Sequence, residues 1–95
     1  MKTENLKIIV LLDQKKILSQ IEEVQSELGE PDCKLTEPFF IEDDGTLSPW
    51  LLDVTTQNTF MISSDKILTL VEPSSKLVKK YEDVLEELDS TLMFR

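Results

Sequence analysis

The sequence predicts a mainly β fold, a small and strongly bent antiparallel sheet closed off by one C-terminal α-helix. Three observations predict it. Short apolar runs rich in β-branched residues recur along residues 6–71, separated by turn residues. One long amphipathic stretch follows Pro73. The last apolar run, "FMISSDKILTLVEP" (residues 60–73), is interrupted by Ser63, Ser64, Asp65 and Lys66 with no Gly or Pro to make a tight turn. That interruption reads either as a solvent loop carrying chemistry or as a polar corner in a curved strand. The strand resumes at once, so the corner is the better reading.

The first strand is "LKIIVLL", residues 6–12, too short and too β-branched for a helix. "DQKK" connects it to "ILSQIEEV", residues 17–24, with Ile17 and Ile21 on one parity and small Ser19 between them. Ile17, Ile21 and Val24 also fit one face of a helix. "SELGEPD", residues 26–32, has the chemistry of a turn. The third strand, residues 33–42, places Cys33, Leu35, Phe39 and Ile41 on one face. Pro38 donates no ladder hydrogen bond, so this strand bends or lies at an edge there. "DDG", residues 43–45, is a hairpin signal. A fourth strand is expected at "PWLLDVT", residues 49–55, turned back by Gln57–Asn58 into the interrupted fifth.

Ser74 or Ser75 is a suitable N-cap for the helix, residues 74–93. Leu77, Tyr81, Val84, Leu88 and Leu92 make its apolar stripe, widened by Val78 and Leu85. Roughly 18 residues give a length of about 27 Å. Lysines come first and acids later, against the preference of the helix dipole, so the helix depends on packing. Docking on its own sheet is favoured over pairing with a second helix.

A chain of 95 residues holds one domain, residues 1–95, with the sheet at 6–73. The net charge is −9, and it is uneven: +2 over residues 1–21, −9 over 22–53 and −2 over 54–95. Such a surface repels phosphate and disfavours sequence-independent nucleic-acid binding. Cys33 is the only cysteine, which excludes an internal disulfide and suits a reducing, cytoplasmic setting. The start is polar, without the apolar core of a signal peptide. The longest apolar run, Ile8–Leu12, is far short of the ~20 residues of a membrane span.

Catalytic and metal chemistry find little support. There is no histidine, which removes Ser-His-Asp, Cys-His and His-metal arrangements. Ser63 and Lys66 spell S-x-x-K, but that pair needs a helical turn and partner motifs that are missing. "EDDG" fails the calcium-loop spacing when Gly45 is set as the sixth residue. Glu22/Glu23 and Glu86/Glu87 read as surface charges, and two glycines cannot build a phosphate loop. Cys33 reads as a small core residue, and Trp50 as either an interface anchor or a partly buried ring.

The order of strands and the polar break resemble the Sm-like (LSm) family over residues 6–73, nearest a divergent branch in phages of marine cyanobacteria. "IIVLLDQKKILSQIEEV" is similar to the family's first motif, with Ser19 at its glycine position and one residue fewer in the turn. "ISSDKILTLVEP" is similar to the second, with Ser63 and Ser64 where Arg and Gly stand. The resemblance implies a five-stranded bent barrel whose last strands pair across subunits into a ring. It implies an interface through Trp50, Leu52, Val54, Phe60 and Ile62. It also implies a lumen site for short single-stranded RNA at Ser63, Ser64 and Lys66, with Lys34 nearby. Two departures stand out: the helix is C-terminal rather than N-terminal, and the RNA loops carry acids and no arginine. The alternative is an acidic ring that engages a phage or host protein. No enzyme, metal, cofactor or membrane partner is expected on either reading.

Overall fold

The computed structural model describes residues 5–51 and 54–92. The chain runs β1 (Leu6–Leu11), β2 (Lys16–Glu23), β3 (Cys33–Ile41), β4 (Leu47–Pro49), β5 (Thr59–Ile62), a 3-10 turn (Ser64–Lys66), β6 (Ile67–Val71) and α1 (Ser75–Leu92). One antiparallel sheet results, in the order β4-β3-β2-β1-β6, with β5 also paired to β3. The mainly β class with a C-terminal helix is therefore the fold.

The turns form as their residues dictate. Gly45 takes φ +87 in the β3–β4 hairpin, where its amide donates to Glu42 O (2.9 Å). Gly29 takes φ +86 in the β2–β3 loop, which Val24 N closes on Asp32 O at 2.9 Å. Both are left-handed positions that glycine adopts without a Cβ penalty. Ser74 is the helix N-cap, its Oγ accepting from Leu77 N at 3.2 Å.

The polar break is a corner with a finding attached. Residues 60–71 do not stay one strand. β5 pairs with β3 (Leu35 opposite Phe60), whereas β6 pairs with β1 (Ile9 opposite Leu70). The 3-10 turn carries the chain from one end of the sheet order to the other, and so a sixth strand appears. Ile62 and Ile67, on either side of the turn, pack on the same cluster of Ile9, Ile17 and Leu35. The sheet is thus strongly curled, yet among the described residues no ladder joins β5 to β6.

The expected strand at residues 49–55 is a correction. The strand here is Leu47–Pro49, and Trp50 and Leu51 already lie in a bend. Leu51 has φ +73, which no extended strand allows, and Val54 N turns back to Leu51 O at 3.0 Å. Trp50 N donates to Pro38 O (3.3 Å), the last bond in register with the β3–β4 pairing before the chain turns away. Leu52 lies outside the described residues.

β2 and β3 bend together. Their register slips between Leu18 and Gln20, where Ser19 faces Glu37 and Pro38. This is a β-bulge, and Pro38 sits where no ladder amide is required. Ser19 is fully buried and its Oγ donates to Thr36 O at 3.1 Å.

α1 docks on its own sheet. Tyr81 and Leu85 are buried with Leu6, Leu18 and Phe39, while Leu77, Val78 and Val84 pack at the margin. Tyr81 meets Phe39 edge to face, centroids 5.8 Å apart. The lysine-first order has a local explanation: Lys80 Nζ lies 3.4 Å from Gly45 O, beside the acidic β3–β4 hairpin. Its charge, after the hydrogen bonds from Thr46, helps hold the Asp44 carboxyl below its ordinary value.

Candidate functional site

The corner brings two distant loops together. The β2–β3 loop ends at Asp32, whose two carboxylate oxygens accept from Ser64 N and Ser64 Oγ, both at 2.7 Å. These charge-assisted bonds cap the 3-10 turn from another part of the chain. They hold the Asp32 carboxyl below its ordinary value of 3.8, with the Ser64 hydroxyl as the larger cause. Inside the turn, Lys66 N donates to Ser63 O and Leu12 N to Lys66 O, each at 3.0 Å. β1, the loop and the corner are therefore tied at one place.

A shallow cavity of about 170 Å³ opens there, lined by Gly29, Glu30, Asp32, Ser63, Ser64 and Asp65. Of the residues expected to contact RNA, Ser63 and Ser64 line it. Lys66 closes the turn and is exposed. Lys34 is elsewhere: its Nζ pairs with Glu22 Oε1 at 3.1 Å, in a second cleft with Asn5, Gln20, Ile21 and Thr36. The loop that meets Ser64 supplies Glu30 and Asp32, which single-residue inspection does not pick out. The Sm-like resemblance places both in the acid-rich first RNA loop, residues 29–34, but does not predict that Asp32 bonds Ser64. Three carboxylates and no cation line the cavity. Among the described residues, no group of three or more His, Cys, Asp or Glu side chains is placed to hold a metal ion.

The second feature is the pair of sheet edges. β6 pairs only with β1, and β5 only with β3, so each leaves one side of its backbone unpaired among the described residues. An edge strand is a template for another strand unless charge, proline or a bulge protects it. β6 reads "ILTLV" and contains no charge. Leu68 is 60% exposed, Leu70 47% and Val71 43%, and Met61 of β5 is 49% exposed. A bulge in the β1–β6 ladder at Val10/Leu11 pushes Leu68 outward.

The five residues expected at a subunit interface divide. Phe60 and Ile62 are half-buried within the subunit, because β5 sets them opposite the core residues Leu35 and Cys33. Trp50 packs on the Ile9 cluster and meets Phe60 at a centroid distance of 5.9 Å. Val54 is 76% exposed. The apolar side chains that do face solvent on the two strands are Met61, Leu68, Leu70 and Val71. Cys33 is buried and reduced, and burial pushes its thiol up, as does the nearby Asp32 charge. It is an inert core residue. No described helix is long and apolar enough to cross a membrane.

No curated protein matches this chain. A family model described as a family of unknown function matches residues 4–86, most of the chain and every strand of the sheet. The protein belongs to that family, DUF6561.

Proposed function

We propose that this protein is a non-catalytic, Sm-like subunit that assembles head to tail into a closed ring and serves as an acidic platform for a protein partner. The observation that carries the reading is the pair of unpaired edges, β5 and β6, at separate ends of one curled sheet. Different surfaces meeting on successive copies make a heterologous contact, which closes into a ring when the rotation allows. The apolar, uncharged β6 supplies a reason to pair. A corner joining strands with different partners, and Ser19 at the sheet bend, agree with the Sm-like resemblance. Here α1 covers the sheet face by returning from the C-terminal side.

The corner cavity supports a protein partner over RNA. Glu30, Asp32 and Asp65 present carboxylates, and Asp32 already occupies both donors of Ser64. Lys34 is paired to Glu22. A ring multiplies the net −9 of each copy and repels a phosphate backbone further. The RNA-chaperone reading keeps one observation in its favour: the two loops that resemble the family's RNA site do meet, with Lys66 exposed beside them.

Light scattering on the purified chain, read with its absorbance ratio and a titration against fluorescent U-rich and A-rich oligonucleotides, tests both readings. The expected result is a mass several times 10.9 kDa, no co-purified nucleic acid and no oligonucleotide binding. A monomer at every concentration rejects the ring. Tight, salt-sensitive binding of an oligonucleotide moves the function to RNA.

A further inference from the structure

We infer that α1 is a clamp on the free edge of β5, acting through the β-bulge at Glu37, so that assembly through β5 requires a docked helix. This rests on the ring reading for its consequence, though not for its mechanism. The path is short and continuous. Tyr81 Oη donates to Glu37 O at 2.9 Å, with Thr36 O at 3.3 Å as a second acceptor, and accepts from Gln20 Nε2 at 3.2 Å. Glu37 N donates to Asn58 O at 2.9 Å, and Asn58 Nδ2 returns a bond to Glu37 Oε1 at 3.1 Å. Asn58 is the residue immediately before β5. One side chain of the helix is therefore linked, through Glu37, to the residue from which the edge strand departs.

The bulge is poised to release. Glu37 is held at φ +54, a left-handed conformation that costs a residue with a Cβ. Its Oε2 is enclosed with no hydrogen-bond partner. Both features favour opening. They are offset by Tyr81, Asn58 and the burial of the ring against Phe39. Such an element has two states, docked and released, and the helix selects one. The ladder from Cys33–Thr36 to β5 begins one residue before the bulge, so release there loosens β5 first.

Hydrogen exchange on the full chain tests the clamp. Tyr81→Phe removes one hydroxyl and keeps the ring, so the fold survives. The amides of Glu37 and β5 are expected to exchange about five- to tenfold faster, the size of one lost hydrogen bond. The β1 amides of the same variant set the change due to general destabilisation alone. Faster exchange at Glu37 and β5 beyond that control, with a lower oligomer mass, supports the clamp. An acceleration there no greater than that of the β1 amides overturns it. A wild-type chain that is always monomeric rejects the ring, while the exchange comparison still decides the clamp.

Discussion

If the proposed ring forms through β6, replacing Leu68 by lysine should separate assembly from folding. Leu68 is 60% exposed and sits at the bulge of β6, so it contributes little to the subunit's own core. Covering the rest of that side chain in an interface is worth about 60% of the ~1.5–3 kcal/mol for a fully buried leucine, roughly 1–2 kcal/mol. Lysine forfeits that amount and places an ammonium on the pairing edge, as natural edge strands do to stay single. The loss recurs at every interface of a ring. Each contact weakens at least ~5- to 30-fold, and the ring dissociates at concentrations where the native protein holds. Light scattering across a concentration series reads the change, and urea unfolding of the dissociated subunit reads the fold. The folding midpoint should stay within about 0.5 kcal/mol of the native subunit. An unchanged mass at all concentrations would falsify the placement of the interface on β6.

The other predictions concern charge, titration and packing. Copies carrying −9 each repel one another, so added salt should raise the oligomer mass through screening, whereas RNA binding would weaken with salt; a mass that falls with salt contradicts the apolar edge. Tyr81 is the only tyrosine, and burial, the largest cause, pushes its phenol up to about 12. Since the folded value lies above the unfolded 10, its contribution is whole below pH 10 and lost as pH climbs to about 12, on the order of 2–3 kcal/mol. Tyrosinate absorbance checks this, and ionisation at the ordinary value in folded protein would show that the hydroxyl is not enclosed. Asp32 is shifted the opposite way by Ser64, so its hold on the corner is complete above the ordinary 3.8 and lost as pH falls through its lower folded value. Exchange at the Ser64 amide should accelerate only in that acid range; acceleration nearer neutrality argues against the bond. Ser19→Leu should destabilise by about 1–3 kcal/mol through overpacking of the bulge, read from urea unfolding. A neutral result would mean the bend tolerates bulk.

Much of the fold was legible because it is local. β1, β2 and β3 declare themselves by apolar runs bounded by Gly29, Gly45 and Pro31, and α1 by its stripe and Ser74. The corner at residues 63–66 was legible as a polar break, but not that it ends one strand and starts another on a different partner. Residues 49–55 misled because Trp50, Leu51 and Val54 have strand composition while Leu51 is held left-handed by the turn that follows. Which side chains of β5 face outward was not legible for a related reason. Phe60, Met61 and Ile62 are all apolar, so no alternation marks the inner face. Only the pairing of Leu35 with Phe60 turns Met61 outward.

By itself, then, the sequence determined the class of fold, the helix with a cap at Ser74 or Ser75, a bend or an edge at Pro38, and the acidic character of the surface. Each depends on residues close together in the chain or on composition. The tertiary structure alone decided that Asp32 caps Ser64, that Tyr81 reaches the Glu37 bulge and that β5 and β6 take different partners. Those contacts join residues separated by 32 and 44 positions, and no local pattern records them. They are chosen by which faces the curled sheet can bury together.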